Sequence, residues 1–447
     1  MNKIFKVIWS KSKQCYVVVS EMAKNKTGKK KIVVASILAA LAMQVGVVAD
    51  VSADESTLTL GGGKAANGMT NGVSIGNLAE SNSHQSIAIG YQALATSQYA
   101  NPAQPAVAIG AGAHATGRGG VSLGLIANSS VRGTAIGSAT NATGFGAFAG
   151  GTYAQATNAG DVAIGGASSD QFNNYAVASG GYSVAIGTAA KADGGAGVSI
   201  GYKTNAKTSN SLAVGSESQA TGEGAVAVGR KNTSTGASST VLGILSTANA
   251  TSATAVGMET TAKGENSLAV GHKSSASGRN GVAVGTNGTT AELGGVAVGQ
   301  AAKSNKFNSV AMGMNVTADG DNSVALGGNA SANSDGTIAI GSYGSTPTKA
   351  TGNRALAIGS ATTANGLESI AIGSRVNSTS QYSIAIGTRA NASAVKSVAI
   401  GPDSIATVDG GVALGRDSVA NVIGGVTNKG YNPNTNRTDV YSGLNGN

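Results

Sequence analysis

Ser183-Val184-Ala185-Ile186-Gly187 is the stretch that decides the fold, because near-copies of it return along most of the chain. From Gly187 to Gly341 the closing glycine recurs at every fourteenth residue without a slip, through Gly201, Gly215 and Gly229 and on to Gly327. Outward from this run the motif reaches Gly76 on one side and Gly415 on the other, in twenty-three clear copies. A decayed copy at Phe148-Ala149-Gly150-Gly151 makes twenty-four. A short fixed period is the mark of a solenoid, in which no repeat buries a core alone and each leans on its neighbours.

Within a copy, the residues three before and one before the glycine are aliphatic, and this alternation predicts a short strand. Small residues follow at the third and fifth places after the glycine, as in Ala190 and Ala192 or Ser218 and Ala220. They predict a second strand, closed by a turn that often holds glycine, as at Gly194, Gly222 and Gly264. Fourteen extended residues span about 46 Å at roughly 3.3 Å each, enough for two short strands and two tight turns. The fold class is therefore all-β, a solenoid of flat, two-sided coils, with glycine at a corner that a residue carrying Cβ tolerates poorly. No proline interrupts a predicted strand, where it would remove a ladder hydrogen bond.

The middle residue of the motif is Ala in nineteen of the twenty-three clear copies. Two aliphatic side chains per coil are expected inside, which turns the alanine outward. A solvated strand would carry polar residues there, so a uniformly small, uncharged face is expected to pack on the same face of another copy of the chain. Ala185, Ala213, Ala227, Ala269, Ala283, Ala297 and Ala325 are the candidate packing residues of a homo-oligomer. The alternative is that the alanines merely line a loose surface or a second layer of their own chain.

Residues 1–53 are of another kind. Nine lysines precede the apolar run Ile32 to Val48, and Val51-Ser52-Ala53 supplies small residues at the spacing of a secretory cleavage site. The segment is expected to be a helical export signal, cut between Ala53 and Asp54, with Ala49 as the second choice; the alternative is a retained transmembrane anchor. Without it, 30 − 9 = 21 basic and 21 − 2 = 19 acidic residues remain, a net charge of +2. The remaining Lys and Arg are scattered singly, so a nucleic-acid surface has no support. Cys15 leaves with the signal, and no disulfide is available to hold the exported part.

Met1-Asn2-Lys3-Ile4-Phe5-Lys6-Val7-Ile8-Trp9-Ser10, with Cys15-Tyr16-Val17-Val18-Val19-Ser20-Glu21, resembles the extended signal-peptide region of the YadA-like trimeric autotransporter adhesins. Asn322-Ser323-Val324-Ala325-Leu326-Gly327 and its relatives resemble the head repeat of the same family. The resemblance implies a left-handed parallel β-roll, or single-stranded β-helix, assembled as a homotrimer. It further implies type V export to the surface of a diderm bacterium, and adhesion to extracellular matrix proteins, host cells or other bacteria. Complete members carry a stalk and a C-terminal membrane anchor after the head. Neither is recognised after Gly415, so a fragment or a truncated gene is expected, and membrane attachment would need an anchor that these residues do not supply. The organisation read here is a signal at 1–53, a head at 54–425 and a further segment at 426–447.

Catalysis finds no foothold: the exported part has three His, no Cys, and acidic residues spread thinly over the coils. No metal or cofactor is expected, since scattered Asp such as Asp319 and Asp321 do not repeat with the period. The irregular coils are better candidates. Six extra residues between Gly90 and Gly110 bring Tyr99, Pro102 and Pro105, and eight between Gly165 and Gly187 bring Phe172 and Tyr175. Insertions in a solenoid loop out on one face, where exposed aromatics suit recognition. Tyr99, Pro102, Phe172 and Tyr175 are accordingly the candidate ligand contacts. Two further readings stay open, a passive spacer rod and, behind it, a secreted solenoid enzyme acting on polysaccharide. The export reading predicts that N-terminal sequencing of the secreted chain will begin at Asp54; a start upstream of Ile32 would overturn it.

Overall fold

The computed structural model describes residues 5–10, 15–20, 58–65, 71–97, 105–167, 174–341, 346–422, 429–432 and 437–440. Each repeat motif among them folds as a strand of three to five residues, then a corner, a two-residue strand and a turn. In the Gly187 coil the strands are Val184–Ile186 and Lys191–Ala192. Strands one coil apart pair in parallel and in register, Val184 with Val198, Ala185 with Ser199 and Ile186 with Ile200. Lys191 and Ala192 pair likewise with Asn205 and Ala206. Two parallel sheets result, sheet A from the longer strands and sheet B from the two-residue ones.

The chain divides into two compact units, Met1–Arg132 and Gly133–Asn447. In the first, sheet A runs from Leu58–Leu60 through Val73–Ile75, Ile87–Ile89 and Val107–Ile109 to Val121–Leu123. In the second it runs from Thr134–Ile136 to Val412–Leu414. The described residues hold twenty-five strands of sheet A, one more than the sequence repeat suggests. The extra one is Leu58–Leu60, where Thr59 replaces the alanine and Gly61-Gly62-Gly63 blurs the corner. The decayed copy is a regular coil: Phe148–Gly150 pairs in register with Thr134–Ile136 before it and Val162–Ile164 after it.

Outside the solenoid, Phe5–Ser10 and Cys15–Ser20 form an antiparallel pair, as do Lys429–Asn432 and Arg437–Val440. A helix was expected for the export signal; its apolar run, 32–48, and the cleavage pair Ala53 and Asp54 lie outside the described residues.

The coil interior corrects the sequence reading. Alternation along sheet A turns the middle residue inward and its two neighbours outward. Ala185, Ala213, Ala227, Ala269, Ala283, Ala297 and Ala325 are each 0 % exposed, buried by their own chain and not by a sister chain. They meet sheet B from within: Ala213 and Ala227 share one cluster with Ala206 and Ala220. The physical reason is width. Two strands joined by tight turns stand too close for Ile or Leu to fit between them, and the largest fully buried side chains are Val241, Val316, Val376 and Asn232. The branched aliphatic residues are displaced outward, with Ile164 41 % and Leu242 40 % exposed.

The corner explains the glycine. At Gly201 φ is +129°, a conformation that L side chains rarely adopt, and a Cβ there would run into the carbonyl of Gly215 on the next coil. Gly187, Gly215, Gly229 and Gly327 occupy the same kind of corner. The corner carbonyl accepts hydrogen bonds in two ways. Where alanine stands third after the glycine, its own N–H donates, as from Ala190 to Gly187 at 3.2 Å. Where a hydroxyl stands there it reaches either the following coil, as Ser218 Oγ donates to Gly229 at 2.7 Å and Ser246 Oγ to Gly257 at 2.9 Å, or its own corner, as Thr140 Oγ1 donates to Gly137 at 2.9 Å. Many inward hydroxyls thus find a partner, as burial favours, although among the described residues Ser83, Ser267 and Ser369 Oγ have none.

The arrangement predicts opposite outcomes for neighbouring substitutions. Ala227→Leu overfills the interior and should destabilise by about 1–3 kcal/mol, and Gly215→Ala should cost at least about 1–3 kcal/mol through its backbone conformation. Val226→Leu, one residue away on the outer face, should leave thermal unfolding nearly unchanged. Equal effects at Ala227 and Val226 would show the inside and outside to be misassigned.

Candidate functional site

With the interior closed, only outward side chains are available for function, and each surface of the coil has its own chemistry. Sheet A presents two aliphatic rows, one from residues such as Val184, Val198 and Leu212 and one from Ile186, Ile200 and Val214. Ile200 is 37 % exposed and Met312 44 %. Together they make an apolar stripe on the outer face of sheet A.

Sheet B is polar. Thr233, Thr247 and Thr261 point outward in register at its first position, and Thr235, Asn249 and Lys263 at its second. Hydroxyls and amides on adjacent coils bond to one another, as Thr235 Oγ1 does to Asn249 Oδ1 at 3.2 Å.

The turns carry many of the charged residues, and some of these pair from one coil to the next. Lys231 lies 3.7 Å from Glu217, Lys273 3.8 Å from Glu259 and Arg279 3.4 Å from Glu265. Arg389 grips Asp403 with Nε at 2.5 Å and Nη2 at 2.7 Å. This hydrogen bond, and then the attraction of the two charges, raises the Arg389 pKa above its ordinary value. The same bond holds the Asp403 carboxyl below the usual range. Exposed pairs of this type contribute little stability; they neutralise a surface that would otherwise repel itself.

Of the four predicted ligand contacts, Tyr99, Pro102 and Phe172 lie outside the described residues. Tyr175 is half-buried. Its hydroxyl accepts a hydrogen bond from Gln155 Nε2 at 3.1 Å, and its ring stands 6.2 Å from that of Tyr153 at 34°. The base of the insertion is thereby tied to the preceding coil. The sequence reading missed two exposed aromatics beside it, Phe145 at 54 % and Tyr182 at 75 %. Their places, eight after Gly137 and five before Gly187, fall on the turn following sheet B, which the period alone marks as outward.

Among the described residues one carboxylate is fully buried. Asp161 is 0 % exposed and accepts hydrogen bonds from the Asn158 N–H at 2.8 Å, the Ser183 N–H at 3.0 Å and Ser183 Oγ at 2.7 Å. Three donors from both sides of the insertion make it a clasp, with its oxygens engaged by the backbone. Among the described residues no three His, Cys, Asp or Glu side chains gather to hold a metal ion.

Comparison with known proteins gives this geometry its context. Residues 1–49 match the extended signal peptide of the type V secretion system. Matches to the YadA head domain repeat begin at 69–96 and 103–125 and continue from 178–204 to 392–418, covering more than half of the chain. Autotransporter adhesin EhaG of Escherichia coli O157:H7 is 36 % identical over 111 residues, 23 % of this chain and 7 % of that protein. The chain thus corresponds to a small part of that relative's length. These families are of adhesin type and not enzymatic. Export signal, glycine-cornered coils and head repeats agree, and the chain belongs to the YadA-like autotransporter adhesins, exported by the type V route to the cell surface.

Proposed function

We propose that this head is a homotrimer whose sheet A stripes close against one another, and that its polar surfaces adhere to extracellular matrix proteins, host cells or other bacteria. The aliphatic rows of sheet A carry the reading. Burying apolar surface contributes roughly 25 cal/mol per Å², and the stripe recurs in coil after coil, whereas the coil interior is filled mostly by alanine, serine and threonine. The number three rests on family membership. In this arrangement sheet B and the turns remain outward for ligands, and many weak contacts repeated over coils and chains sum to avidity. The head is proposed to span 54–425.

Two measurements test the proposal. Residues 54–447 fused to a trimeric coiled coil should sediment as a trimer, and Val214→Glu with Val228→Glu on sheet A should expose the stripe to dye binding and lower the melting temperature. A head whose stability ignores these two charges would rule out sheet A as the interface. In a solid-phase assay the same protein should bind at least one of collagen, fibronectin, laminin or bacterial cells; binding to none would favour a passive spacer.

A further inference from the structure

Where the Gly285 coil takes an extra residue, it sets an asparagine before a glycine. Asn287 keeps the second place after the corner, and Thr289 keeps the inward hydroxyl place. Thr289 Oγ1 donates to the Gly299 carbonyl at 2.6 Å, as Ser274 Oγ does to Gly285 one coil earlier. Gly288 is the residue that bulges between them. Asn287 is exposed, with φ +56°, and its N–H donates to the His272 carbonyl at 3.1 Å. That bond sets it in line with Lys273 of the preceding coil.

Among the described residues four Asn-Gly pairs occur, and the fold treats them differently. At Asn280-Gly281 the Gly281 N–H donates to the Gly278 carbonyl at 3.0 Å, and a Cβ on Gly281 would meet three carbonyl oxygens within 3.1 Å. At Asn365-Gly366 the Asn365 Oδ1 accepts from Thr351 Oγ1 at 2.6 Å, and Gly366 is packed against the Ser380 backbone. Gly72, after Asn71, is packed against Ser81 Oγ, which lies 2.7 Å from the place of a Cβ. Of the four only Gly288 is open: no atom comes within 4 Å of its Cβ position, and its N–H has no acceptor among the described residues.

We infer that Asn287-Gly288 is a self-modifying site, at which the head converts an amide into a carboxylate without an enzyme. The Gly288 backbone nitrogen attacks Asn287 Cγ, and its proton passes through water to the side-chain nitrogen, which departs as ammonia. The new C–N bond closes a succinimide ring. Water then adds to either ring carbonyl and opens it, giving aspartate or isoaspartate, the latter with one more carbon in the main chain. Both reacting groups belong to neighbouring residues, so the rate depends on how freely the pair reaches the cyclic geometry. A nitrogen held by a carbonyl, or a glycine wedged against the next coil, resists that movement, and a glycine bulged into open space permits it.

The surroundings suit the product. Asn287 continues a row in which Glu217 pairs with Lys231 at 3.7 Å and Glu259 with Lys273 at 3.8 Å. A carboxylate at 287 gives Lys273 a second neighbour of opposite charge, on the side away from Glu259. The same places two coils of the C-terminal part hold Arg389 and Asp403, bonded at 2.7 Å. The head thus gains negative charge with time after export, at one position, and the inference does not depend on the adhesive role.

The test keeps the full exported chain in warm neutral buffer for weeks and follows it by anion-exchange chromatography and peptide mass spectrometry. Cleavage after Arg279 and Lys303 yields one peptide, 280–303, which carries both Asn280 and Asn287, so each site is a control for the other. In the folded head Asn287 should convert at least about tenfold faster than Asn280, and unfolding in urea should erase the difference. Asn287→Gln should abolish the acidic form; Gln92 already holds this place in the Gly90 coil, and a thermal melt confirms folding. Asn287→Asp should elute with the aspartate product. Equal conversion of the two asparagines in the folded head, a preference that unfolding leaves intact, or an acidic form that persists in Asn287→Gln would overturn the inference. So would a folded head that stays unmodified under conditions that convert the unfolded chain.

Discussion

The narrowness of the coil interior governs everything else in this protein. Two strands joined by tight turns leave a gap that accepts alanine, serine or threonine and little more. Once that is fixed, the aliphatic residues of the motif have nowhere to go but out, and the fold acquires an apolar exterior before any question of function arises. The corner follows from the same economy of space. A turn this tight brings the carbonyl of one glycine against the Cα of the preceding one, and only glycine leaves room for the contact.

Register is the second consequence. Because side chains alternate with a period of two, each strand has to meet its neighbours without slippage, or alanine and isoleucine would exchange places. The Gly285 coil shows how strictly this is kept. Its sheet B strand is displaced by one residue, so Ser275 pairs with Thr290 fifteen positions on, and Thr290 pairs with Lys303 only thirteen positions on. The turn absorbs the shift and both sheets stay aligned. At the larger insertion before Gly187, Asp161 plays the corresponding part by binding the backbone and hydroxyl of Ser183 across twenty-two residues.

Much of this was legible in the residues. The period, both strands, the corner glycines and even the decayed copy at Phe148 follow from spacing alone, because backbone geometry repeats wherever the spacing does. The side assignment of the motif was not legible in the same way. Val-Ala-Ile alternates identically whichever face is buried, and the customary preference for large aliphatic cores pointed to the wrong one. Only the distance between sheets decides, and spacing does not encode it. Leu58–Leu60 was missed for a simpler reason, since Thr59 fills the small-residue place as well as alanine does. Phe145 and Tyr182 lie on the regular turn and not on an insertion, so only their place in the period marks them as outward.

The identity of successive coils bears on how such a chain changes over generations. Each coil docks on the next through the same backbone ladder and the same small interior, so a gene that gains or loses a whole number of repeats yields neighbours that fit as before. Gain of half a repeat would set sheet A against sheet B and end the stack. Recombination between near-identical stretches therefore has an open course in one step size, and the number of coils becomes a trait that selection can adjust without redesigning any contact.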